Sequence, residues 1–226
     1  MLRERALRAA PHVLRYHEDW EPVAEPLADA YAEVAPWLLR DRTEPAPERF
    51  FRQLELPLRD KRVCIVGIDP YPEGATGVPF ESPDFSKKTA RALAAAAARA
   101  AEHGGCRRVS AYRNYDFRGV QGVLAWNYYL SCRRGETKSH AMHWERIARM
   151  LLAHIARFVR VFYFLGRSDF GGVRAKLTAP VTLLVGYHPA ARGGQFESER
   201  TLEILNVLLE LHGLAPVDWA QGFVPL

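Results

Sequence analysis

The sequence predicts a three-layer α/β/α domain: a central four-stranded, mostly parallel sheet with helices on both faces, preceded by an N-terminal extension. Three observations lead there. Four short apolar runs recur after residue 60, segments of helical apolar spacing separate them, and glycine pairs or single glycines close the helices. Strands that alternate with helices pair in parallel, because each crossover returns the chain to the same end of the sheet.

Residues 1–60 are rich in Pro, Arg and Glu, with Trp20 and Trp37 as isolated anchors. A helix over roughly Leu27–Arg40 puts Leu27, Tyr31, Val34 and Leu38 on one face, and the cluster Glu44-Pro45-Ala46-Pro47 reads as a turn. This extension carries no recognisable chemistry. The remainder, 61–226, reads as the core of the same single domain. Val63-Cys64-Ile65-Val66 forms the first strand, and a helix over about Lys87–His103 follows and stops at Gly104-Gly105. Its alanine string, Ala94–Ala98, suits close packing on a sheet. The second strand is Val123–Trp126. A helix over about Ala141–Arg157 comes next, with Ile147, Leu151 and Ile155 at helical spacing. Val159–Leu165 is the third strand, followed by a short helical stretch near Ser168–Leu177, and Val181–Val185 is the fourth. One last helix, about Ser198–His212, turns Leu202, Leu205, Leu208 and Leu209 inward and ends at Gly213.

The totals narrow the function classes. The chain has 226 residues and a formal charge of +5, with about half its residues hydrophobic, and a pI near 9.2. That balance permits a polyanionic partner without requiring one. No run nears the roughly 18 consecutive apolar residues of a membrane span, and the start Met1-Leu2-Arg3-Glu4-Arg5 lacks a signal-peptide core. The expectation is a soluble, unsecreted protein with no membrane partner. Cys64, Cys106 and Cys132 form no CxxC pair, which argues against a disulfide framework, and His140 and His143 have no Cys pair nearby to make a zinc site. No metal and no cofactor are expected.

Ligands of such sheets bind beyond the carboxyl ends of the strands. Just past strand one stands Asp69, past strand two Asn127, past strand three Gly166, and past strand four His188. An acid, an amide, a glycine turn and an imidazole therefore converge on one rim.

The blocks at these strand ends resemble the uracil-DNA glycosylase superfamily. Gly67-Ile68-Asp69-Pro70-Tyr71-Pro72 resembles its water-activating loop Gly-Gln-Asp-Pro-Tyr-His. Gly77-Val78-Pro79-Phe80-Glu81-Ser82 resembles its Gly-Leu-Cys-Phe-Ser block, and Gly122–Asn127 resembles the strand that ends in a uracil-reading Asn. His188-Pro189-Ala190-Ala191-Arg192 resembles its His-Pro-Ser-Pro-Leu loop. The longer runs GIDPYPEGATGVPFESPDF, WNYYLSCRRGETKSHA, GYHPAARGGQFE and WAQGF are closer still to the poxviral branch. The likeness covers 62–226 well and the first 60 residues loosely.

The resemblance implies hydrolysis of the bond between uracil and deoxyribose in DNA, single- or double-stranded. Asp69 would orient and deprotonate water and steady a cationic sugar, and His188 would donate to uracil O2 as charge develops there. Asn127 would read the O4/N3 edge, Phe80 would stack on the base, Tyr71 would exclude the thymine methyl, and the Ile68 N–H would help at O2. The base has to leave the stack. Arg192 stands where the family has its wedging Leu, Ala190 replaces a Ser and Pro72 a His, which predicts DNA binding weaker than the family's or organised differently. Gly166, Arg167, Lys87 and Lys88 are the remaining DNA-binding candidates, and Arg133, Arg134 and Lys138 are further basic residues near the rim. The poxviral branch also implies a second role, as a subunit of the viral polymerase processivity factor bound to an accessory protein. Its docking segment corresponds to Arg174–Pro180, where Arg174 and Pro180 would clamp an aromatic. A homodimer is a further expected partner state, and the host cytoplasm the expected location, with packaging in the virion. Two other readings compete: a non-catalytic DNA-bound scaffold, and a relative acting on mismatched thymine, against which Tyr71 argues.

Overall fold

A computed structural model describes residues 15–105, 111–170, 177 and 179–226. Strands β1 (Thr43–Glu44), β2 (Val63–Gly67), β3 (Tyr112–Tyr115), β4 (Val123–Asn127), β5 (Cys132–Arg133), β6 (Val161–Leu165), β7 (Thr182–Gly186) and β8 (Phe223–Pro225) alternate with helices α1 (Glu21–Leu38), α2 (Lys88–His103), α3 (Ala141–Ile155), α4 (Arg167–Phe170), α5 (Gln195–Ser198) and α6 (Thr201–Leu211). The central sheet has the order β4-β2-β6-β7 and is parallel throughout. Val63 pairs with both Val123 and Val161, and Leu165 pairs with Gly186, so the carboxyl ends of the strands finish nearly level.

Each strand residue faces one side of the sheet or the other, and the alternation splits the core in two. Cys64, Val66, Leu124, Trp126, Phe162 and Phe164 face α1 and α3. Val63, Ile65, Val123, Ala125, Val161 and Tyr163 face α2 and α6. The alanines of α2 do what small side chains allow: Ala94, Ala97 and Ala100 are buried against the sheet.

Helix α1 begins six residues earlier than its apolar pattern suggests and ends two residues sooner. Pro22 and Pro26 look like breakers in the sequence, yet Pro22 falls in the first turn, where a missing N–H leaves nothing unsatisfied. The predicted helix near Ser168–Leu177 starts at Arg167 and its described part ends at Phe170; residues 171–176 lie outside the described set. The predicted single helix over Ser198–His212 is instead two, α5 and α6, broken at Glu199 and at Arg200, which adopts a left-handed backbone with φ 50°. Two short antiparallel pairs, β1 with β5 and β3 with β8, had no local signal.

The N-terminal segment shares the main core. Trp20 is buried, stacks on Trp126 at 5.4 Å and donates its indole N–H to the Leu56 carbonyl. The buried Asp19 carboxylate accepts the N–H groups of Leu58 and Arg59, and His154 of α3 bonds the Asp19 carbonyl at 2.7 Å. Replacing Trp20 with Ala is expected to lower the unfolding free energy by about 3–5 kcal/mol while urea denaturation stays a single transition, because the segment and the sheet unfold together. A separate early transition for residues 15–60 would contradict it.

Candidate active site

A cavity of about 200 Å³ opens at the carboxyl ends of β2 and β4. Ile68, Asp69, Tyr71, Phe80, Asn127 and His188 all line it. The four blocks noted in the sequence thus meet in three dimensions, although Asp69 and His188 are far apart in the chain.

The first motif is held by backbone bonds that continue the β2–β4 ladder past its end. The N–H groups of Tyr128 and Tyr129 donate to the carbonyls of Gly67 and Ile68, both at 2.8 Å. A Cβ on Gly67 would lie 2.9 Å from the Phe80 ring and 3.3 Å from Asn127 Oδ1. Glycine at that position therefore lets the aromatic ring and the amide close over the strand end. Phe80 itself adopts φ 62°, costly for an aromatic residue, and its ring packs edge-on against Phe117 at 5.7 Å.

Asp69 is fixed by the loop after β5. The Lys138 backbone N–H donates to Asp69 Oδ2, and the Gly135 N–H donates to the Pro72 carbonyl at 2.8 Å. Lys138 reaches this pose in the left-handed region, at φ 60°, and its ammonium pairs with Asp169 Oδ1 of α4. Burial lifts the Asp69 carboxyl to about 6; the Lys138 N–H and the Lys138 charge pull it down, and the Asp169 carboxylate pushes it up.

His188 has a defined tautomer. The Ala190 backbone N–H donates to Nδ1 at 3.1 Å, which leaves the proton on Nε2 as a donor. Burial pushes this imidazole below its ordinary range, Asp169 opposing and Lys138 and Lys88 adding to the shift, so it is neutral at pH 7. Asn127 is buried, its own N–H donates to Gln53 Oε1 at 2.7 Å, and among the described residues its carboxamide has no hydrogen-bond partner. Tyr71 donates weakly to the Phe80 carbonyl at 3.4 Å, and burial raises its phenol well above the usual range.

The basic candidates surround the mouth in different states. The Lys87 ammonium lies 5.7 Å from the Tyr71 ring, and Lys88 donates to the Ala190 carbonyl at 3.2 Å. Gly166 holds φ 129° at the end of β6. Arg167 pairs with Glu199 over the Tyr187 ring. Arg192 is exposed and, among the described residues, without an ion pair. Arg133 is bound to Asp41 and Glu136, and Arg134 approaches Glu44, so neither is a free cation. Pro180 is exposed just before β7, whereas Arg174 lies outside the described residues.

Sequence reasoning did not find Asp169, Glu199 or Gln53, nor the backbone role of Lys138. None falls in a spacing that marks chemistry; each acts only through a partner brought close by the fold.

A family model described as the Uracil DNA glycosylase superfamily matches residues 55–210. The chain is 55% identical over 213 residues to a uracil-DNA glycosylase of Fowlpox virus (strain NVSL), covering 94% of this chain and 95% of that one. A uracil-DNA glycosylase of Mycolicibacterium smegmatis is 28% identical, covering 89% and 94%. The crystal structure of mimivirus uracil-DNA glycosylase superposes with a TM-score of 0.69 at 18% identity, covering 91% of this chain and 87% of that one, which speaks to the fold.

The raised Asp69 carboxyl has a thermodynamic consequence. A carboxyl titrating near 6 when folded and near 3.8 when exposed favours folding below the lower value, and that contribution disappears as pH rises through about 6. Asp69→Asn is therefore expected to stabilise the fold above pH 6, by about 1–3 kcal/mol, and to leave it nearly unchanged near pH 4. Equal melting shifts at both pH values would contradict this.

Proposed function

The chain belongs to the uracil DNA glycosylase superfamily, and on that premise we propose that it takes uracil from DNA by hydrolysing the bond between the base and deoxyribose. The observation that carries the reading is the meeting of an oriented carboxylate, a neutral imidazole N–H donor and a carboxamide without a partner among the described residues, all around a cavity of about 200 Å³. That volume suits a single flipped base, below the span of common small-molecule pockets.

The chemistry follows from these groups. As the glycosidic bond breaks, its electron pair leaves on uracil and positive charge grows on the sugar. Asp69, ionised above pH 6, offsets that charge and takes a proton from the attacking water, whose hydroxyl bonds to the sugar carbon. His188 Nε2–H donates to the uracil O2 as it gains charge; a neutral donor aimed in advance needs no reorganisation during the reaction. The Asn127 carboxamide offers one donor and one acceptor, the pair that suits the O4/N3 edge of uracil and fails on cytosine. Phe80 supplies a stacking face, the Ile68 N–H a further donor at O2, and Tyr71 the wall against a C5 methyl.

For DNA, Arg192 takes the wedge position, with Lys87, Lys88, Gly166 and Arg167 along the backbone path. We further infer, from the poxviral likeness, that the chain serves as a DNA-binding subunit of a viral polymerase processivity factor at replication sites in the host cytoplasm. An exposed Pro180 beside the edge strand β7 supports an accessory-protein contact there. Retention of pulled-down accessory protein by the parent, and its loss in Pro180→Asp, would test that role apart from catalysis. The intact set Asp69, Asn127 and His188 favours activity over a purely scaffolding protein.

Excision is tested on a single-stranded oligonucleotide with one uracil, incubated without metal and then treated with alkali. Strand breakage at that base is expected; none would overturn the proposal. Asp69→Asn should lower the rate by about 10²–10⁴-fold, and the parent rate should climb with pH through a midpoint near 6 as Asp69 ionises. Tyr71→Ala should add measurable excision of thymine, and a variant that still ignores thymine would remove Tyr71 from its assigned role.

A further inference from the structure

Glu199 occupies the joint between α5 and α6, outside the cavity. Its Oε2 accepts the Tyr187 backbone N–H at 2.8 Å, and its Oε1 pairs with Nη2 of Arg167. The Arg167 guanidinium lies 4.3 Å from the centroid of the Tyr187 ring. One carboxylate therefore grips two rim loops, the one after β6 that carries Gly166 and Arg167 and the one after β7 that carries His188.

The surroundings fit that grip. A Cβ on Gly186 would come within 2.7 Å of Glu199 Oε2 and 2.9 Å of the Tyr163 hydroxyl, so the carboxylate reaches Tyr187 only because glycine precedes it. The joint is itself immobilised. Arg200 takes the left-handed backbone that ends α5 and starts α6, and the buried Thr201 hydroxyl donates to the Tyr163 hydroxyl at 2.9 Å. The Glu199 side chain is only 14% exposed, against 56% for Arg167. A surface ion pair would leave both ends wet; here one end is sunk against the backbone beside the imidazole.

We propose that Glu199 is a positioning residue for the reaction: by holding the Tyr187 N–H it sets the backbone from which His188 aims Nε2 at the leaving base. This rests on the glycosylase reading above. The Arg167 bond keeps the carboxylate in one rotamer while more than half of the Arg167 side chain still faces outward, open to phosphate.

The test compares the parent chain with Glu199→Ala and Glu199→Gln in single-turnover excision from a single-stranded oligonucleotide with one uracil, across enzyme concentration and pH. Glu199→Ala is expected to lower the saturated rate at least about tenfold, since small displacements of a catalytic group cost that much or more. Its half-saturating concentration should stay within about twofold of the parent's, and the midpoint of the acid limb should not move, because Asp69 is untouched. Glu199→Gln, whose amide oxygen still accepts the Tyr187 N–H, should remain within about threefold of the parent. An active parent with an equally active Glu199→Ala variant overturns the proposal, as does a rate loss that carries the acid limb with it. Should Glu199→Ala fail to fold, the Gln variant decides, and a folded Gln chain slowed about tenfold also overturns it. An inactive parent would instead defeat the glycosylase reading itself.

Discussion

A carboxylate that has to be desolvated, ionised and immobile at once is the constraint around which this molecule is arranged. Desolvation alone would neutralise Asp69. One backbone N–H, that of Lys138, counters it, and delivering that N–H takes a left-handed residue without the excuse of being glycine. Such a backbone costs about 1–2 kcal/mol, so the loop needs anchoring on several sides. The ammonium of Lys138 is tied to Asp169, Gly135 to Pro72, and Arg134 to the Arg42 carbonyl next to β1. Behind them, buried His140 bridges Ser131 and Asp41, and Trp144 bonds the same Ser131 hydroxyl. The N-terminal segment, which carries no chemistry in its sequence, is thus part of what holds the site through Asp41, Glu44 and Gln53.

The two reactive ends of the cavity solve the same problem by different means. Each accepts a backbone N–H: the Lys138 N–H offsets burial and favours the ionised form of Asp69, whereas burial itself keeps His188 neutral and the Ala190 N–H fixes its tautomer. Asp169 lies within electrical reach of both and favours the protonated form of each. Its pairing with Lys138 moderates that influence, so a charge that would otherwise unsettle the two groups becomes a structural tie.

Much of this was legible in the residues. The four sheet strands, the alanine-rich helix and the rim order of Asp69, Asn127 and His188 follow from local apolar runs and from the rule that parallel strands share an exit side. What stayed hidden depends on partners remote in sequence. Arg200 looks like any helical residue until Glu199 and Thr201 are engaged by Tyr187, Arg167 and Tyr163. Gln53 resembles a surface amide until the Asn127 N–H reaches it. The early start of α1 was obscured by Pro22, whose penalty vanishes in a first turn, and by Pro26, which the helix carries in its interior.

The pairing of β3 with β8 bears on how the chain reaches its native form. Phe223 inserts beside Tyr112 and Tyr115, and Gly222 leaves room for the Tyr115 ring, which a Cβ would meet at 2.5 Å. The Tyr115 hydroxyl closes on the Trp219 carbonyl across more than a hundred intervening residues. β2, at the heart of the sheet, likewise waits for β6. Contacts this distant are entropically late, so during synthesis the face of the sheet carrying α2 stays unsealed until Trp219 and Phe223 emerge, and its apolar side chains stay open to other chains over that interval.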